Sequence, residues 1–272
     1  MKKNIWCGSA SLVLLLILAV GGSAKVVKNT IDSEGKKRSY YLFIPTLVDQ
    51  GKPAPLIVLL HGSGRNGSVL IEHWQKIAEQ EGIILAGPDS RNSASWAIPE
   101  DGPRFLRDLV EDLKSKHRVD SRRVYLFGHS AGAVYGLMLA VLESEYFAAV
   151  GVHAGALAQD MWSYIDMADR KIPIGIWVGT RDAFFPVDAV TATKTALEAK
   201  ALPVHLRVIP NHTHNYYSRA AEINGEIWQF LSKHRLNSDA KFKQYDFSRQ
   251  VSAARHYAAQ FLKLLPPRRS YE

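Results

Sequence analysis

Cysteine is nearly missing from this sequence. Its one occurrence in 272 residues, Cys7, stands ahead of the first apolar run. No disulfide can form within the chain, and core packing must supply the stability that many extracellular domains draw from cross-links. A long apolar run is missing as well: Leu12 to Val20 is far short of the ~20 residues that span a bilayer. Lys and Arg number 34 against 26 Asp and Glu, yet no basic run and no basic patch interleaved with aromatics occurs, so nucleic acid is not an expected partner. The glycine-rich stretch His61-Gly62-Ser63-Gly64-Arg65-Asn66-Gly67 lacks the Gly-Lys-Ser/Thr or G-x-G-x-x-G spacing of a phosphate cradle. His212 and His214 have no further His, Cys or Asp at ligand spacing beside them, so neither metal nor cofactor is expected.

What is present begins with Lys2-Lys3, the short apolar run and then Gly22-Ser23-Ala24. A charged start, a brief hydrophobic core and small residues at −3 and −1 form a signal-peptide layout, so residues 1–24 are expected to be a cleaved leader with no membrane span left after cleavage. From residue 38 short β-rich runs alternate with helical stretches, the mark of a mostly parallel sheet covered by helices. Strands are predicted at 39–45, 56–60, 83–86, 123–127, 148–152, 172–178 and 204–209, with residues 26 to 31 pairing antiparallel to the first. Leu56-Ile57-Val58-Leu59-Leu60 is apolar without a break, as in a strand buried on both faces. Helices are predicted at 69–81, 103–116, 133–142, 187–200 and 220–234. One catalytic domain over 25–236 follows, with a basic C-terminal extension over 237–272 in which Val251, Ala254, Ala258, Phe261, Leu262 and Leu265 fall at helical spacing.

Gly128-His129-Ser130-Ala131-Gly132 fits G-x-S-x-G. The pentapeptide alone is weak evidence, but Val124-Tyr125-Leu126-Phe127 precedes it as a strand and Ala133 to Ala140 follows as a helix. This is the context of a nucleophile elbow, the strand-to-helix turn of α/β hydrolases that lifts a serine hydroxyl into the open. A serine hydroxyl is a poor nucleophile at neutral pH and needs a histidine base with a carboxylate to orient it, which in this fold follow in the order Ser, Asp, His. Asp182 lies in the loop after the strand Ile174 to Val178, whereas Asp188 sits where it would cap the next helix. Five histidines follow Asp182. His205 falls inside a strand, His234 closes a helix and His256 is in the extension, which leaves His212 and His214, both in the loop after the last strand. An oxyanion hole needs backbone N–H donors. The His-Gly-Ser-Gly segment closing the strand 56–60 points to the N–H of Ser63, with Gly64 as neighbour or substitute, and Ala131 supplies the amide after the nucleophile. Trp96 and Phe184 are aromatic candidates for a substrate wall, and His129 and Gly64 complete the expected substrate-facing set.

With these parts in place the chain resembles the polyhydroxybutyrate depolymerase-like esterases, an α/β-hydrolase branch that includes feruloyl and acetyl-xylan esterases. The resemblance rests on Arg38-Ser39-Tyr40-Tyr41-Leu42-Phe43-Ile44-Pro45, Leu60-His61-Gly62-Ser63-Gly64, and Val119-Asp120-Ser121-Arg122-Arg123-Val124-Tyr125 leading into the elbow. It implies extracellular hydrolysis of a small or polymeric ester. Asn211-His212-Thr213-His214-Asn215-Tyr216-Tyr217 departs from that branch and looks more like the His-Ser-Tyr-Tyr of S-formylglutathione hydrolase relatives, which aligns His214 with their base. The expected triad is then Ser130, Asp182 and His214. Acyl transfer or peptide hydrolysis on the same three residues would be separated from ester hydrolysis by the products formed. A binding protein on an inactive scaffold would be separated by failure of Ser130 to react with a fluorophosphonate.

Overall fold

The computed structural model describes residues 24–243. The expected leader up to Ser23 and the extension from Gln244 onward lie outside the described residues. Eight strands form one sheet in the order β1-β2-β4-β3-β5-β6-β7-β8. They are β1 (Val27–Ser33), β2 (Lys36–Phe43), β3 (Ala54–Leu60), β4 (Ile84–Pro88), β5 (Val119–His129), β6 (Ala149–His153), β7 (Ile174–Gly179) and β8 (Val204–Ile209). The β1–β2 hairpin is antiparallel, β2 runs antiparallel to β4, and every pairing from β4 to β8 is parallel. This is the α/β-hydrolase architecture expected from the alternating sequence pattern.

The helices are α1 (Gly67–Glu81), α2 (Pro103–Lys116), α3 (Ala131–Leu142), α4 (Val187–Ala199) and α5 (Ala220–Leu231). A strand places successive side chains on opposite faces, and β3 shows how this divides the core. Leu56, Val58 and Leu60 join one apolar cluster with side chains of α2, α3 and α4. Ile57 and Leu59 join a second with Leu70, Ile71 and Trp74 of α1 and Ile223, Ile227 and Leu231 of α5. All five are fully buried, so truncating any leucine of β3 to alanine would cost about 2–5 kcal/mol. α3, the helix behind the elbow, is buried nearly all round, which accounts for its uniform apolarity.

The predicted strands and helices all occur, with ends shifted by a few residues, and 3₁₀ segments at Thr46–Gln50, Gln159–Met167 and Tyr216–Arg219 were not foreseen. The boundary expected after residue 236 falls inside packed structure. Ala240 and Phe242 lie against the core, the Lys241 N–H donates to the Glu145 carbonyl at 3.1 Å, and the Lys243 N–H donates to Glu143 Oε2 at 2.9 Å. Among the described residues no helix is long and apolar enough to cross a membrane.

Candidate active site

In an open parallel sheet, loops at the carboxyl ends of the strands converge on one edge. His61 to Gly64 leave β3, Ser130 leaves β5, His153 ends β6, Asp182 follows β7 and His214 follows β8. Register sets their neighbours: Leu60 pairs with Gly128, His129 with His153, and Gly179 with Ile209.

Ser130 has φ 57° and ψ −118°, a region that non-glycine residues rarely occupy and that is held only where surrounding structure enforces it. The enforcement is visible in the two glycines of the motif. A Cβ on Gly128 would lie 2.1 Å from the Gly132 carbonyl oxygen, and one on Gly132 would lie 2.0 Å from the Leu60 carbonyl oxygen. The Ser130 N–H donates to the His153 carbonyl at 3.1 Å. The turn thus leaves its side chain at the mouth of α3, where the first helical amides have no acceptor within the helix.

Ser130 Oγ lies 3.0 Å from His214 Nε2, and His214 Nδ1 lies 2.9 Å from Asp182 Oδ2. The second Asp182 oxygen accepts the N–H groups of Phe184 and Phe185, both at 2.9 Å. Burial pushes the Asp182 carboxyl upward, but the hydrogen bond and charge of His214 and the two amides outweigh it and hold the group below the ordinary carboxylate value. The charged form of Asp182 is therefore the stable one beside the imidazole. Asp188 sits in the first turn of α4. The loops bearing Asp182 and His214 are sewn together: the Arg181 N–H donates to the His212 carbonyl at 2.9 Å, and a Cβ on Gly179 would meet that same oxygen at 2.0 Å.

A Cβ on Gly62 would stand 3.3 Å from the Ser130 Cβ, so the loop after β3 lies directly against the nucleophile turn. Among the described residues neither the Ser63 nor the Ala131 N–H has a hydrogen-bond acceptor. Gly64 is removed as a substitute donor, because its N–H is spent on the Ser93 carbonyl at 2.7 Å. Two more expectations need correction. Trp96 is 8% exposed, stacks on Tyr135 at 5.1 Å and donates from its indole N–H to the His61 carbonyl at 2.8 Å, so it braces the β3 loop from beneath and is no open wall. His129 is also buried, 4% exposed and stacked on Tyr216 at 5.3 Å, so its ring offers little surface to a substrate. Phe184 is 40% exposed, with its ring 4.7 Å from that of His214.

Sequence reasoning passed over His153. It is fully buried, with Nδ1 3.1 Å from His129 Nδ1 and Nε2 3.0 Å from His212 Nε2. The signal was there, a histidine closing a predicted apolar strand as His129 does, but pairing the two needs the strand order. Among the described residues no cluster of His, Cys, Asp and Glu could hold a metal ion.

A hydroxyl, an imidazole and a buried carboxylate in one hydrogen-bonded line, beside two unengaged amides, can carry out nucleophilic acyl chemistry. The fold is that of the α/β hydrolases. Residues 102–214 match the family model described as Esterase PHB depolymerase. Poly(3-hydroxyalkanoate) depolymerase C of Paucimonas lemoignei is 26% identical over 155 residues, 52% of this chain and 37% of that protein. The bifunctional acetylxylan esterase/xylanase XynS20E of Neocallimastix patriciarum is 24% identical over 115 residues, 41% of this chain and 17% of that protein. The chain thus spans well under half the length of these curated relatives. An S-formylglutathione hydrolase from Agrobacterium tumefaciens superposes with a TM-score of 0.65 at 16% identity, covering 79% of this chain and 96% of its own. The sequence likenesses fall in the esterase branch of the α/β hydrolases.

Proposed function

We propose that the protein is a secreted serine esterase that cleaves a carboxylic ester through an acyl-enzyme on Ser130. The observation that carries the reading is the line Ser130 Oγ, His214, Asp182, with contacts of 3.0 and 2.9 Å. Ser130 Oγ adds to the ester carbonyl carbon as its proton passes to His214 Nε2, and the carbonyl oxygen takes up negative charge toward the Ser63 and Ala131 amides. Collapse of this adduct breaks the bond to the alkoxy oxygen, which leaves as the alcohol with the proton from His214. Water repeats the sequence on the acyl group and restores Ser130. Asp182, held charged, fixes the imidazole with its Nδ1 hydrogen toward the carboxylate and offsets the charge gained at His214. The leader pattern at residues 1–24 supports export. The relatives' names point to acyl groups on polysaccharides or polyesters, and Phe184 beside the base supplies an apolar surface for the acyl part.

The test combines labelling with a panel of esters. A fluorophosphonate should label the wild-type protein at Ser130 and leave Ser130→Ala unlabelled. Nitrophenyl esters of rising length, acetylated and feruloylated sugars, and hydroxybutyrate oligomers should each be scored for turnover. A folded wild-type protein that neither takes the label nor turns over any of these esters would overturn the assignment.

A further inference from the structure

Three histidines that this reaction leaves unused form a continuous row behind Ser130 and His214. His129, His153 and His212 are 4%, 0% and 3% exposed. His129 Nδ1 lies 3.1 Å from His153 Nδ1 and 3.4 Å from the His153 carbonyl oxygen, and His153 Nε2 lies 3.0 Å from His212 Nε2. A carbonyl oxygen can only accept, so one assignment satisfies all three contacts. His129 carries its hydrogen on Nδ1 and donates to His153. His153 carries its hydrogen on Nε2 and donates to His212, which carries its own on Nδ1. Burial holds all three imidazoles below the ordinary histidine value, His129 at about 3, with neighbouring imidazoles adding to the effect. At neutral pH the row is uncharged and its hydrogen-bond directions are fixed.

Where the row ends gives it meaning. His129 immediately precedes Ser130, and His212 stands two residues before His214 in the loop that also grips Asp182's neighbour Arg181. His153 holds Ser130 a second way, through its carbonyl at 3.1 Å from the Ser130 N–H. Apolar side chains could fill this space without the desolvation cost of three imidazoles, so the hydrogen-bonding ring has to be explained by orientation and not by packing.

We propose that His153 is a positioning residue, a two-ended strut whose ring ties the nucleophile turn to the base loop and so keeps Ser130 and His214 at hydrogen-bond distance. The inference rests on the ester-hydrolase reading of Ser130. A displacement of ~1 Å between reacting groups can cost about 10²-fold in rate, which sets the scale of the effect.

The test is steady-state kinetics of the full chain on one nitrophenyl ester for wild type, His153→Leu and His153→Gln, with folding checked by circular dichroism. Glutamine keeps a donor and an acceptor where leucine keeps neither. His153→Leu should lose about 10- to 100-fold in kcat with KM within threefold of wild type, and His153→Gln should recover most of that loss. A folded His153→Leu with kcat within threefold of wild type, a loss confined to KM, or a glutamine variant no better than leucine would each overturn the proposal. If His153→Leu does not fold, His212→Leu against His212→Gln asks the same question from the other end of the row, with equal kcat in the two as the overturning result. Fluorophosphonate labelling of the wild-type protein separates the two levels of argument. Absence of labelling brings down the hydrolase reading and this inference with it, whereas labelling together with an indifferent His153 removes the strut alone.

Discussion

His212 and His214 are separated by one threonine, yet they meet different environments. His214 is partly exposed, with Ser130 on one ring nitrogen and Asp182 on the other, while His212 is 3% exposed and bonded to His153. Replacing His214 by alanine should lower kcat by about 10⁴- to 10⁶-fold, ~5–8 kcal/mol of barrier. His212→Ala should cost about 10- to 100-fold, since it loosens the loop without removing the base. Measuring kcat of both folded variants on one ester decides the matter, and near-normal turnover in His214→Ala would transfer the role. This pair was partly legible in the sequence. Spacing and chain order narrowed five histidines to two, and the Tyr216-Tyr217 that follows favoured His214. Trp96 shows the limit of such reading, because a tryptophan in a loop carries no mark of whether its ring faces the cleft or, as here, props a neighbouring carbonyl.

At the scale of elements, the histidine row joins the end of β5, the end of β6 and the turn after β8. Such a joint responds to pH. A free histidine titrates near 6.5, and in the folded chain burial lowers all three. Between the folded and unfolded values the unfolded chain binds more protons, so stability rises with pH. It is fully present above about pH 7 and drains as pH falls through 6.5, by up to ~1.4 kcal/mol per pH unit for each histidine held neutral. For His129 the loss continues toward pH 3. The groups facing the row do not reverse the sign: His214 opposes protonation of all three, Asp182 favours it at His129 and His212, and Arg219 and Glu222 act in opposite directions on His212. Urea midpoints between pH 7 and 4 should therefore fall more steeply for wild type than for His153→Leu, and parallel profiles would contradict the account. The elements themselves were readable because buried strands and amphipathic helices carry distinct periods. Register was not, since the pairing of His129 with His153 depends on which strands lie side by side.

On the scale of the whole molecule, packed structure runs past the expected boundary at 236: helix α5 ends at Leu231, while Ala240 and Phe242 still lie against the core. Phe242 packs edge-on against Tyr146 at 5.6 Å. The Lys243 N–H serves Glu143, a carboxyl whose burial pushes it up to about 8 against the downward pull of that hydrogen bond and of the lysine charge. A chain ending at Lys243 should keep measurable kcat on a small ester, since Ser130, Asp182 and His214 all precede the cut. A chain ending at Leu236 should keep most of its kcat, since Ser130, Asp182 and His214 all precede the cut. It should melt roughly 5–10 °C lower, from about 2–3 kcal/mol of lost packing and hydrogen bonding. Equal melting temperatures for the two truncations would show that residues 237–243 contribute nothing. The position of β3 has a consequence in time. Its last five residues, Leu56 to Leu60, carry no polar side chain, yet one flanking strand begins at Ile84 and the other ends at His129. At a synthesis rate of ~5–20 residues per second this unbroken apolar strand of the nascent polypeptide waits roughly 3–14 s for its second neighbour, so the arrangement that seats Gly62 beside Ser130 also sets how long the newborn chain needs shielding from its own kind.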